Sequence, residues 1–131
     1  MRFMMLYKPG HESETPPTPE HMAAMGELIG EMAKSGALIA TDGLQASSKG
    51  RRVRINPDGK FTVIDGPFTE TKELIAGFAI VQARSLEEAE ELAKRFLKVV
   101  GEGESEIRLM HDVAAFDASA AQEFGAAGAS A

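Results

Sequence analysis

Six short runs of strand character and two stretches of helical period divide this chain. Residues 2–7 are apolar at both parities, with Phe3, Met5 and Tyr7 on one side of a strand and Met4 and Leu6 on the other. Both faces of that strand are therefore expected to be covered. Gly10 to Pro17 is a polar, Pro-containing loop, after which Thr18 serves as N-cap and Pro19 takes the first helical position. The helix is expected to run to about Ser35. Its buried stripe reads as Met22, Met25, Ile29 and Met32, with Gly26 and Gly30 allowing close approach and Gly36 as the stop.

Ala37-Leu38-Ile39-Ala40 forms a second strand that Asp42-Gly43 ends in a turn, and Gln45 to Gly50 reads as loop. Val53 and Ile55 alternate with Arg52 and Arg54, Asn56-Pro57-Asp58-Gly59 supplies a turn, and Phe61 and Val63 resume the alternation. This predicts a β-hairpin. Leu74 to Gln82 is again apolar at both parities, a further strand buried on two faces. Ser85 and Glu88 open a second helix as a capping box, with a core stripe of Ala89, Leu92, Ala93 and Phe96 and supporting pairs Glu90–Lys94 and Glu91–Arg95. Glu106 to Val113 alternates as a last strand.

The order is β-α-β, an inserted hairpin, then β-α-β, and right-handed crossovers place both helices on one face of an antiparallel sheet. The expected class is α+β, ferredoxin-like, in one domain over residues 1–116, with an Ala/Gly/Ser-rich tail at 117–131 expected to fray. Two helices cover one face of a sheet only, and the other face is apolar at residues 3–7 and 74–81. A homodimer stacked sheet on sheet, as in a dimeric α/β barrel, is the expected remedy.

Composition narrows the function classes. A net charge of −6 disfavours nucleic acid as a partner, because phosphate binding relies on clustered cations. The one basic cluster, Lys49, Arg51, Arg52 and Arg54, reads as a solvated hairpin face or as an anion-binding rim. The chain has no cysteine, which removes disulfides and thiolate chemistry and fits a cytoplasmic setting. No apolar run is long enough to span a membrane. His11, His21 and His111 show no recognised ligand spacing, no glycine-rich phosphate loop is present, and neither metal nor cofactor is expected.

Candidate chemistry gathers around the break between the hairpin and the next strand. Asp65 precedes Gly66-Pro67 at a strand end, where its carboxylate can serve as acid or base at a cleft mouth or hydrogen-bond the amides of its own turn. Glu70, Lys72 and Glu73 bring two carboxylates and an ammonium close together, as an acid–base set or as a solvated loop. His21, in the first helical turn, is a candidate neutral base or simply an exposed side chain. Phe68, Asp42, Arg52 and Glu73 are the candidate contacts to a small-molecule ligand, although Phe68 reads first as a plug in the sheet–helix junction and only second as a stacking surface.

The stretch from Asp65-Gly66-Pro67-Phe68 through Glu73, followed by Leu74-Ile75-Ala76-Gly77-Phe78, resembles the signature of the DGPF branch of the YCII-related proteins. Asp42-Gly43-Leu44 and Glu104-Ser105-Glu106-Ile107 fit the same pattern. The resemblance implies a ferredoxin-like fold in the dimeric α/β-barrel superfamily and a cleft for a small molecule. It also implies one of two roles: acid–base enzyme chemistry of a lyase or hydrolase kind, or an accessory role beside an extracytoplasmic-function sigma factor. Relatives thought to be enzymes use a His/Asp pair whose histidine lies inside the first helix. Here Gly26 to Ile29 holds none, and His21 comes about a turn too early.

Overall fold

The structure, a computed structural model, describes residues 1–12, 15–68 and 74–112. The expected tail at 117–131, the last residue of the final strand and Glu70, Lys72 and Glu73 lie outside the described residues. In chain order the described elements are β1 (Arg2–Lys8), α1 (Pro19–Lys34), β2 (Leu38–Gly43), β3 (Arg51–Ile55), β4 (Phe61–Asp65), β5 (Gly77–Gln82), α2 (Leu86–Val100) and β6 (Glu104–Leu109), with a 3-10 turn at Ser47–Lys49.

Strands β2, β5, β1 and β6 lie in that order in one antiparallel sheet, and β3 pairs only with β4 as a separate hairpin. Without the hairpin, this connectivity is ferredoxin-like: the two outer strands are the second and the last, and the two inner strands are the first and the third. Both helices pack on the face that carries Phe3, Met5, Ala79 and Val81, to which α1 contributes Leu28 and Met32 and α2 contributes Ala89 and Ala93. Burying each larger side chain of this layer contributes about 1.5–3 kcal/mol.

Local chemistry sets the helix limits. Thr18 accepts the His21 N–H at 3.1 Å at the start of α1, and Ser85 accepts the Glu88 N–H at 3.1 Å at the start of α2. Each bond satisfies an amide that the helix itself cannot pair. Gly36, at φ +80°, and Gly101, at φ +88°, follow the helix ends.

Four details depart from the sequence reading. Leu28 joins Met32 in the buried stripe of α1, with Met25 and Ile29 half-buried, and Met22, in the first turn, is 61% exposed. A Cβ at Gly26 or Gly30 meets nothing within 4 Å, so neither glycine mediates close approach. Arg95 reaches across to Glu31 of α1 at 2.6 Å instead of pairing along its own helix, and Lys94 takes Glu91 at 2.9 Å. Asp42-Gly43 continues β2 opposite Phe78 and Gly77, while β5 starts only at Gly77 and β6 ends at Leu109.

The sheet face away from the helices carries Met4, Leu6, Phe78 and Ile80 at its centre, all half-buried within the single chain. Its β6 border is charged: Arg108, Glu106 and Glu104 sit opposite Met4, Leu6 and Lys8. The apolar character expected of this face is thus present on the two inner strands and stops at β6.

Candidate functional site

At the end of the sheet where β1 finishes, the chain is fastened by main-chain bonds: the Ala76 N–H donates to Tyr7 O at 2.9 Å and the Leu44 N–H to Ala76 O at 2.8 Å. The segment that leaves β2 here then turns at Ser47–Lys49 toward the hairpin. Glu12, in the loop after β1, accepts the Ser47 N–H with both carboxylate oxygens, at 3.1 and 3.0 Å, and so holds that turn against the sheet end.

The far end of the hairpin returns to the same turn. The Gly66 N–H donates to Gly50 O at 3.0 Å, and the Phe68 N–H donates to Ser47 Oγ at 2.9 Å. A Cβ on Gly66 would stand 1.7 Å from the Ser47 carbonyl oxygen, so only glycine fits the approach. The Gly66–Pro67 bond is cis. The Asp-Gly-Pro-Phe run is therefore a fastening: Gly66 and Phe68 tie the hairpin base to the Ser47 turn, and Asp65 faces Arg51 across the strands, Oδ1 to Nε 2.8 Å. Asp65 thus bonds a cation across the strands.

Between these parts lies an open cleft of about 370 Å³. Leu44, Leu74, Ile75 and Phe68 supply its apolar lining, and Lys49, Arg51 and Arg52 its cations. The Arg52 guanidinium lies over the Phe68 ring at 3.9 Å from the centroid, a stacking contact that fixes the charge in place. Lys49 Nζ donates to Gln45 Oε1 at 2.9 Å. A second lobe of about 220 Å³ shares Glu12, Leu44 and Ile75 and continues past Tyr7, His11 and Glu102.

In that second lobe the Tyr7 hydroxyl donates to Glu102 O at 2.9 Å, and His11 Nε2 lies 3.8 Å from Glu102 Oε1. Burial, with the nearby Glu102 charge adding to it, raises the Tyr7 phenol above its ordinary 10.0, so it remains a proton donor through the neutral range. Among the described residues no group of three or more His, Asp or Glu is placed to hold a metal ion.

Of the residues singled out in the sequence, Arg52 and Phe68 line the cleft and touch each other. Asp65 stands beside it through Arg51. Asp42 is elsewhere, on the outer sheet face opposite Phe78, its Oδ1 accepting the Gly43 N–H at 3.0 Å. His21 is on the first turn of α1, outside the lining of either lobe. The basic cluster divides, with Lys49, Arg51 and Arg52 at the cleft and Arg54 out on the hairpin. Glu12 and Ser47 were missed, since their contact spans 35 residues and no spacing rule announces it. The apolar Leu74 and Ile75 did carry a signal: they extend the apolar run of β5 ahead of Gly77, where that strand begins, whereas Leu44, after Thr41-Asp42-Gly43, carried none.

The fold and the site together define an α+β domain of ferredoxin-like plan with a cation-rimmed cleft at one sheet end. Residues 1–109 match the YCII-related domain, and the chain belongs to that family. No curated protein matches the chain. Among solved structures, 5-chloro-2-hydroxyhydroquinone dehydrochlorinase from Burkholderia phenoliruptrix, in complex with 2,5-dihydroxybenzoquinone, is similar at 14% identity and a TM-score of 0.44, over 89% of this chain and 100% of that one. Among the described residues no helix is long and apolar enough to cross a membrane.

Proposed function

We propose that this protein binds a small organic anion with an apolar body in the cleft at the hairpin base. One observation carries the reading: in a chain of net charge −6, three cations converge on an apolar cleft of about 370 Å³. That volume is within the range of small-molecule sites. Leu44, Leu74 and Ile75 take the body of the ligand, and Arg52, over the Phe68 ring, takes its charge. Such binding also suits a regulatory accessory beside an alternative sigma factor, one of the roles implied by the resemblance.

Titration with benzoate and its hydroxylated derivatives, followed by calorimetry, tests this. Saturable binding that weakens about tenfold or more in Arg52→Ala is the expected result, the effect of losing a charge-assisted contact. Neutral benzyl alcohol binding as well as benzoate, or no saturation with any of the anions, overturns it.

A second reading, acid–base turnover of the same ligand, is favoured by Glu12 at the seam of the two lobes with Tyr7 and His11 beyond it. In that reading Asp65 acts through Arg51 as a positioning residue, and His21, Glu70 and Lys72 are further candidates. Chemical change of the bound anion, lost in Glu12→Gln while binding persists, supports turnover. Two copies stacked by the faces bearing Met4, Leu6, Phe78 and Ile80 would close these sheets from water. A folded monomer in sedimentation at micromolar concentration removes the stack.

A further inference from the structure

The two lobes of the cleft are one continuous space. Glu12, Leu44, Gln45, Leu74 and Ile75 line both, so a ligand body seated on the apolar residues has one end in each lobe. The two ends differ in charge. Lys49, Arg51 and Arg52 line only the first lobe, where Asp65 answers Arg51 at 2.8 Å. Among the described residues the second lobe is lined by no Lys or Arg and carries Glu102, with Glu12 at the seam.

Glu102 is held in place by its main chain, which leaves its carboxylate for other work. Gly101 and Gly103, at φ +88° and φ +97°, turn the chain on either side of it. A Cβ on Gly103 would stand 2.7 Å from Tyr7 Cε1 and 2.8 Å from Lys8 O, so the turn lies directly against Tyr7, whose hydroxyl donates to the Glu102 main-chain oxygen. Among the described residues the ionic neighbour of the Glu102 carboxylate is His11, whose Nε2 at 3.8 Å is too far for a hydrogen bond. Burial and then the Glu102 charge raise the Tyr7 phenol, so the field of this carboxylate reaches the lobe. Glu12 accepts the Ser47 N–H, and a carboxylate has further lone pairs to offer. We infer that the ligand of the cleft carries an ammonium group at the end away from its anion, taken by Glu102 with Glu12 beside it. Such a ligand is an amino-bearing organic acid, and its assignment rests on the anion reading above. Opposite charges at the two ends of one cleft also fix which way round the molecule lies.

Calorimetric titration of the full chain with para- and meta-(aminomethyl)benzoate beside para- and meta-ethylbenzoate tests the ammonium end, since each pair shares its shape and differs in that charge. At least one ammonium probe is expected to bind about fivefold tighter than its ethyl counterpart, the upper reach of a solvent-open ion pair. That advantage should vanish in Glu102→Gln and persist in Glu104→Gln, whose acid is exposed two residues on and outside the lining of both lobes. Both positions are exposed, and circular dichroism melts check that each variant folds. Ethyl probes that bind through Arg52, with no gain from the ammonium, overturn the ammonium end and leave the anion reading standing. No saturation with any of the four probes overturns both. A gain that survives Glu102→Gln, or that falls as far in Glu104→Gln, belongs to the general negative charge of the chain and overturns Glu102 as the seat.

Discussion

The sheet body and the hairpin arm are built from the same kinds of residue and meet opposite fates. In the body Val81 is 0% and Phe3 2% exposed; in the arm Val53 is 66% and Phe61 68% exposed. Alternation and β propensity are equally good in both. The difference is the layer beyond: α1 and α2 lie on the body's inner face, whereas among the described residues the arm is fastened at its base, through Gly50, Ser47 and Gly66. Strand formation thus depends on local pattern, and burial depends on what the rest of the chain brings.

Core truncation sharpens that contrast most. Phe3→Ala removes a ring from a packed layer and is expected to cost about 3–5 kcal/mol, read as a lower denaturant midpoint. Phe61→Ala, measured in solution dilute enough to keep subunits apart, is expected to change stability by less than about 0.5 kcal/mol. A comparable loss in both would mean that the arm packs on its own chain.

Next in size is the joint between the two regions. Gly66→Ala drives a methyl group into the Ser47 carbonyl, backbone against backbone, where neither side can swing away. Overpacking of that kind costs about 1–3 kcal/mol, and it should also loosen Phe68 under Arg52 and weaken anion binding. Stability and binding both at wild-type level would show that the arm is not anchored through this turn. Ser85→Ala, wholly within the body, should cost about 1 kcal/mol by freeing the Glu88 amide, with no effect on the cleft.

These same elements show what a sequence can and cannot disclose. The hairpin, both caps and the core stripe of α2 were legible because each is decided within a few residues, by alternation, by a turn or by a Ser three places before a Glu. The stripe of α1 was legible at Met25, Ile29 and Met32 and wrong at Met22, which is exposed, while Leu28 is buried, because only the sheet decides which side is inner. The cleft was legible by half. Its Arg52 and Phe68 announce themselves by charge and motif, but the Glu12 carboxylate that seats the Ser47 turn comes from another loop. The Asp-Gly-Pro-Phe run was open to a catalytic reading, and the contacts of Gly66 and Phe68 with the Ser47 turn give it a structural one.

The smallest expected effect separates the two regions by their ion pairs. In the body, Lys8 Nζ lies 2.7 Å from Glu106 Oε1 and Arg108 Nη1 lies 3.3 Å from Glu106 Oε2, with the Lys8 side chain only 20% exposed; Arg51 and Asp65 in the arm are 71% and 73% exposed. The hydrogen bond from Lys8, then that from Arg108, holds the Glu106 carboxyl below its ordinary 4.5, and the bond to Glu106 holds Lys8 above its ordinary 10.5. A carboxyl lowered by folding stabilises the folded chain above 4.5, and that contribution fades as pH falls through its lower folded value. An ammonium raised by folding stabilises below 10.5, and its contribution fades as pH rises past its higher folded value. Glu106→Gln should therefore lower stability slightly between these limits and flatten both the acid and the alkaline limb of a stability–pH curve, since the variant has neither the lowered carboxyl nor the partner that raises Lys8. The effect is small because the carboxylate remains open to solvent. An acid limb as steep in Glu106→Gln as in the wild type would place the proton-linked stability elsewhere.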